Sequence, residues 1–256
     1  MAVILYVYAI TRDAVTPDCE PIDPAGRFDT AGHDGLFAVF TKVAEEELSQ
    51  EAIDRRAGDL EWLGAIGYRH QAAAAALMKQ TTIIPLRAFT LFSSEEALNQ
   101  YLHEHRELLQ KTLGRLEGKC EWTLRIEFDA AKFSEALVQR IDSLRELSSQ
   151  IESASPGRGF LLKKKLDEEK KRASRDAEQQ VVSEIERAVL EKLSCDTVAE
   201  SRLDREGAFP QINVLLNRDE ESKLQELLAE LVPRYDNEGV TLALTGPWPP
   251  YTFANA

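Results

Sequence analysis

Apolar positions along this chain recur with two periods, and the switches between them mark out its elements. Residues 3–10 (VILYVYAI) are apolar on both alternating faces, and residues 35–41 (GLFAVFT) repeat the pattern, so both predict strands covered on two sides. Residues 11–34 between them carry Pro17, Pro21, Pro24, Gly26 and Gly32 and read as a long connection, either a functional or partner-facing loop or a tolerated insertion. Over residues 59–79 the spacing becomes helical: Leu63, Ile66, His70, Ala73 and Leu77 form one stripe, with His70 on its buried side as a hydrogen-bonded core histidine. A short strand over 82–86 closes at Pro85. Ser93 and Glu96 then make a capping box for a helix whose inner face runs from Leu98 through Leu102, His105, Leu108 and Leu109 to Leu116. That helix ends at Gly114 to Gly118, where the pattern places a domain boundary.

Beyond it, Trp122, Leu124, Ile126 and Phe128 alternate with Glu121, Thr123, Arg125 and Glu127, a strand with one buried and one polar face. A helix over 132–151 is broken by Ser155-Pro156-Gly157, and a long helix follows over 160–193. Strands over 196–203 and 210–217 flank Glu206-Gly207 as a hairpin. A helix over 219–231 stops at Pro233, and Val240, Leu242 and Leu244 mark a last strand. This β-α-β-β-α-β order predicts an α+β protein of two domains, each a ferredoxin-like or modified ferredoxin-like sheet with helices on one face, followed by a tail folded back. The expected divisions are 1–118, 119–246 and 247–256.

Composition narrows the function. The chain has 256 residues, 31 basic against 44 acidic, for a net charge of -13, which repels nucleic acid and anionic lipid. No window approaches the run of about 20 apolar residues that a membrane helix needs. Residues 1–10 lack a basic start and a small-residue cleavage site, so they read as a strand and the protein as cytoplasmic. Cys19, Cys120 and Cys195 sit at unpatterned spacings that suit free thiols in a reducing compartment. One local charge departs from the whole. Between Lys163 and Glu178 the long helix is polar nearly all round, with seven basic residues against five acidic. It reads either as a docking face for an acidic partner or as a solvated helix held by i,i+4 ion pairs, and in both cases as a segment that projects or packs lightly.

The chemistry of an active site does not assemble. His103 and His105 are two apart on a helix and point to opposite sides, so they do not share an ion. The Gly114 to Lys119 string imitates a phosphate loop but is one residue short, with Cys120 where the metal-binding hydroxyl belongs. Neither a dinucleotide fingerprint nor a nucleophile elbow occurs, so no enzyme and no cofactor or metal is expected. A small-ligand-binding regulatory module with ferredoxin-like domains is the alternative from another functional class.

Near its C-terminal end the chain reads Thr245-Gly246-Pro247-Trp248-Pro249-Pro250-Tyr251-Thr252-Phe253. Three prolines stiffen this stretch before it binds anything, and three aromatic rings each offer on the order of 150 to 250 Å² to bury. Such a segment is expected to lie in a groove, either of this protein or of a partner. The same ending resembles the hallmark terminus of the gas vesicle GvpL/GvpF family. So do the opening Leu5 to Ile10, Trp62 and Leu63 spaced from His70, the strand end Ile84-Pro85-Leu86-Arg87, and the stretch Ser155 to Arg158 before the long helix.

The resemblance implies a non-catalytic protein of gas vesicle assembly, or a minor vesicle component, in the cytoplasm and associated with the vesicle. Its implied partners are the hydrophobic shell protein GvpA and other vesicle assembly proteins, with no nucleic acid and no lipid membrane. Pro247, Trp248, Pro249, Pro250, Tyr251, Phe253, Pro85, Arg87 and Arg158 are the implied protein-binding or tail-docking residues. One departure stands out: members read P-x-R-F-G-T where this chain has Ala88 and Phe89 after Arg87, so the turn that glycine permits is expected to be lost.

Overall fold

The computed structural model describes residues 2–200 and 209–254. The chain divides into two compact units, Met1–Glu121 with Pro247–Ala256, and Trp122–Gly246. No helix among the described residues is long and apolar enough to cross a membrane.

The first unit is built on β1 (Val3–Thr11), β2 (Phe28–His33), β3 (Leu36–Ala44) and β4 (Ile83–Pro85), hydrogen-bonded in the order β2-β3-β1-β4, with β5 (Leu91–Phe92) also on β1. The pairs are antiparallel. β1 is buried from Leu5 to Thr11, as its two-faced apolar pattern requires. An extra residue at Tyr8 shifts its register against β3, where Val7 faces Phe40 and Ala9 faces Val39. Short helices α1 (Glu45–Leu48) and α2 (Gln50–Arg56) lead to α3 (Leu60–Gln80). Asp59 caps α3 by accepting from the Trp62 N–H, and an alanine run, Ala72 to Ala76, favours the helix while Ile66, His70 and Leu77 are buried.

Several expectations need correction here. Residues 28–33 form β2 and are not part of an open loop; Asp34 (φ 49) and Gly35 (φ 78) turn it into β3 as a two-residue hairpin with both central residues left-handed. The cap of the next helix is Ser94, one residue later than expected, accepting from the Ala97 N–H. That helix is two, α4 (Glu95–Glu104) and α5 (Arg106–Leu116), separated at His105, and Leu108 is 42% exposed and not on the inner face.

The second unit continues from β6 (Lys119–Phe128) through α6 (Ala130–Arg140), α7 (Asp142–Glu152), α8 (Pro156–Lys192), β7 (Asp196–Glu200), β8 (Gln211–Asn217), α9 (Glu221–Asp236) and β9 (Val240–Trp248). Its sheet order is β7-β8-β6-β9, and β7 pairs antiparallel with β8; the predicted turn at Glu206-Gly207 lies outside the described residues. The helix expected over 132–151 is interrupted at Ile141 into α6 and α7. Pro156 begins α8 at its first turn and does not precede it, because proline lacks only an N–H that has no partner there. α9 runs through Pro233 to Asp236. Proline removes one bond near the helix end, at an exposed position. The polar half of α8 packs and does not project, with Leu166 and Ala177 buried, and Leu144 of α7 lines a cavity of about 500 Å³ with Ala173, Ala177 and Val181 of α8.

Candidate functional site

A polar cluster inside the first unit fixes the positions of three segments. The rings of Tyr6 and Tyr8 are fully buried and meet edge to face with centroids 5.1 Å apart. Tyr6 Oη is 2.9 Å from His70 Nδ1, and His70 Nε2 is 2.8 Å from the Leu86 carbonyl. A carbonyl only accepts, so Nε2 carries the proton and Nδ1 accepts from the tyrosine. The Tyr6 hydroxyl accepts in turn from the Phe89 N–H at 3.3 Å. Burial lowers the His70 pKa, opposed by the Leu86 bond, and raises the Tyr6 phenol well above its usual range. Tyr8 Oη shares a hydrogen with Thr41 Oγ1 at 2.9 Å and accepts from the Ile22 N–H, and burial pushes its pKa up to about 12.

This chain of bonds holds the turn after β4. Phe89 adopts φ 65, and the Thr90 N–H donates to the Arg87 carbonyl at 3.2 Å. The left-handed turn is therefore kept without glycine, contrary to expectation. Its strain is offset by the Phe89 ring against Trp62 (5.7 Å between centroids) and Tyr6 (6.4 Å).

The C-terminal peptide is built into the same unit. Pro249 and Pro250 are buried, and tight turns follow in which the Tyr251 N–H donates to Pro249 O and the Phe253 N–H to Pro250 O. Thr252 donates twice to one carboxylate, its N–H to Glu121 Oε2 at 2.9 Å and its Oγ1 to Glu121 Oε1 at 2.7 Å. Arg115 of α5 donates to the Phe253 carbonyl. The Tyr251 ring lies 6.3 Å from His70, and burial raises its phenol pKa; its hydroxyl is buried with no hydrogen-bond partner among the described residues. Phe253 is 5% exposed.

The predicted site residues thus separate. Pro249, Pro250, Tyr251 and Phe253 are packed, Pro247 and Trp248 are exposed, and Pro85 is buried in β4 opposite Ala9 while Arg87 reaches solvent. Arg158 is exposed on the first turn of α8, in the second unit. Glu121 was missed. It falls on the polar face of its strand by alternation, yet it is buried, and its partner is 131 residues away. Arg115 was missed for the same reason. On α8, Lys170, Lys171 and Arg175 line an open groove of about 830 Å³ with Ala130, Val182 and Pro210. Along that basic stretch Arg172 pairs with Glu169, at 3.8 Å and three residues apart.

Fold and site together define a two-unit α+β protein with its C-terminal peptide incorporated in the first unit. Over residues 4–255 the chain matches the family described as gas vesicle synthesis protein GvpL/GvpF, and it belongs to that family. It is 28% identical to gas vesicle protein L1 of Halobacterium salinarum over 182 residues, covering 68% of this chain and 64% of that protein. It is 30% identical to gas vesicle protein L of Haloferax mediterranei, again over 68% of this chain but 56% of the relative. The chain thus spans less than two thirds of those two haloarchaeal proteins. Against gas vesicle protein L of a Streptomyces species it is 28% identical over 97% of this chain and 92% of the relative. Among solved structures, gas vesicle protein GvpF of Anabaena sp. superposes with a TM-score of 0.74 over 99% of this chain and 98% of that one. The GvpF of Microcystis aeruginosa does so with 0.68 over 99% of both. Both are 15% identical in sequence, so this likeness concerns the fold.

Proposed function

We propose that this chain is a non-catalytic gas vesicle assembly protein that binds the shell protein GvpA or other vesicle assembly proteins, in the cytoplasm and in association with the vesicle. The observation that carries the reading is the match to a family of gas vesicle synthesis proteins across residues 4–255. The physical case is one of dispersal. A shell subunit destined for an apolar, gas-facing wall exposes aggregating surface while unassembled. A helper with net charge -13 keeps a complex with it apart from other complexes by like-charge repulsion. In this reading the buried tail residues and Pro85 serve as an internal clamp, while Arg87, Arg158, Pro247 and Trp248 face partners.

Co-expression of this chain with GvpA and pull-down test the proposal: the two are expected to co-purify, with more shell protein in the supernatant. Equal solubility of the shell protein with and without this chain refutes it. Deleting residues 247–256 separates the roles of the tail, since a clamp lowers the melting temperature whereas a partner ligand leaves stability intact and weakens vesicle binding.

A further inference from the structure

Three side chains that play no part in the tail or in the tyrosine cluster converge on one edge of the first unit. His33 ends β2, Asp34 occupies the left-handed turn after it, and His103 comes from α4, seventy residues further along. His33 Nε2 lies 3.1 Å from His103 Nδ1 and 3.6 Å from Asp34 Oδ2, and the three candidate donor atoms all fall within 4.8 Å of one another. The imidazole planes are at 89°. His105 takes no part: its Nδ1 is 2.9 Å from the Tyr101 carbonyl and its ring is tilted against Tyr101 with centroids 4.3 Å apart.

We propose that His33, His103 and Asp34 form a binding site for a divalent transition-metal cation of the zinc and nickel class. Two nitrogens each about 2.0 Å from one tetrahedral ion lie roughly 3.3 Å apart, close to the 3.1 Å at which His33 and His103 share a hydrogen bond, so an ion displaces that proton and the rings reorient with their nitrogens already near the required spacing. Imidazole nitrogens select zinc, nickel or copper over magnesium and calcium, which take oxygen ligands. The carboxylate is the third donor and partly neutralises the ion. Both backbone and side chain hold it in place: the Gln110 side chain donates to the Asp34 carbonyl at 3.4 Å, and Arg106 Nε stands 3.7 Å from Asp34 Oδ2. That guanidinium also competes with the cation, and exposed pairs of this kind contribute little. Three protein donors leave a position open on a tetrahedral ion, on a surface where water or a side chain of another protein completes it.

The test is calorimetric titration of the untagged full chain with ZnCl₂ and with NiCl₂, MgCl₂ serving as control. One zinc or nickel ion per chain is expected to bind in a step that weakens about tenfold or more in both His33→Gln and His103→Gln. Arg106→Gln is expected to tighten it several-fold. Zinc held by Cys19 or Cys195 survives the histidine substitutions and so is distinguished from this site. Melting temperatures without metal check that the variants fold; if either Gln variant melts lower, Asn at that position replaces it. Failure of the wild type to bind either ion at 100-fold molar excess, wild-type affinity in either histidine variant, or equal binding of magnesium overturns the proposal.

Discussion

Glu121→Ala tests whether the tail belongs to the folded state of the first unit. The carboxylate is 5% exposed and accepts two hydrogen bonds from Thr252, at 2.9 and 2.7 Å. Hydrogen bonds to a charged group contribute about 1.5–3 kcal/mol each, and the Thr252 donors recover part of that from water because the residue is only half-buried. We therefore expect a loss of about 2–4 kcal/mol, which for a protein of this size lowers the melting temperature by roughly 4–16 °C. The loss has a ceiling, because a terminal segment can detach locally; once the tail is free, further damage to its contacts costs nothing more. Glu121 makes other contacts as well, so its bond to the Thr252 hydroxyl is isolated by a double-mutant cycle with Thr252→Ala, which keeps the backbone N–H, read by urea unfolding. Glu121→Gln retains one acceptor oxygen and turns an N–H₂ toward the other donor, so it falls between wild type and alanine. A coupling energy of about 1–2 kcal/mol is expected. A cycle that closes to within about 0.3 kcal/mol, with Glu121→Ala melting like the wild type, means the tail is not held by this carboxylate and the clamp reading fails.

Four further outcomes follow from the geometry. Gly239 has φ 76, and an added Cβ would sit 2.6 Å from Lys132 Cβ and 3.1 Å from the Phe133 nitrogen. Gly239→Ala is thus expected to cost about 2 kcal/mol or more by chemical denaturation. At Phe89 the usual order inverts: Phe89→Gly and Phe89→Ala both lose the ring, but glycine relieves the left-handed strain and is expected to be more stable by about 1 kcal/mol. Tyr251→Phe removes a buried hydroxyl that lacks a partner among the described residues, so thermal unfolding is expected to be unchanged or raised, and a loss above about 1 kcal/mol contradicts that. His70 has a folded pKa below its unfolded value, so the unfolded chain binds the proton first as pH falls. The stability this burial permits is full above about pH 6.5 and is lost as pH drops toward the folded pKa; His70→Gln is expected to flatten that part of the profile relative to wild type.

What the sequence made legible is what short-range periodicity encodes. β1, β3 and β6 carry enough alternating or two-faced apolar character to be read directly, and α3 announces itself through Asp59, the alanine run and the stripe through His70. The elements that escaped do so for identifiable reasons. β2 contains Gly32 and His33, poor strand formers, and its sign was the Asp34-Gly35 pair beside an apolar run, a hairpin signal hidden by the prolines upstream. The break at His105 costs the pattern a single residue, so Leu102 and Leu109 stay seven apart and the stripe reads as continuous. Prolines misled twice, at Pro156 and Pro233, because their effect depends on where in the helix they fall.

The site divides along the same line. The tail was legible in kind, since prolines and rings in a terminal stretch have little use except to dock, but its position was not. Glu121 and Arg115 look like ordinary surface charges until the chain brings Thr252 and Phe253 back to them, and no local pattern encodes a contact 131 or 138 residues away. This also bears on what keeps the tail in its place. Apolar burial of Phe253 favours any greasy groove of the right depth, so it contributes affinity with little discrimination. A buried carboxylate that accepts from two donors at fixed spacing matches one register of the peptide, and a slip of one residue takes both Thr252 donors away from it at a cost of about 1–3 kcal/mol. The prolines then hold the backbone near that register before contact, which lowers the ordering cost. Rings supply the attraction, and the Glu121–Thr252 pair fixes the register.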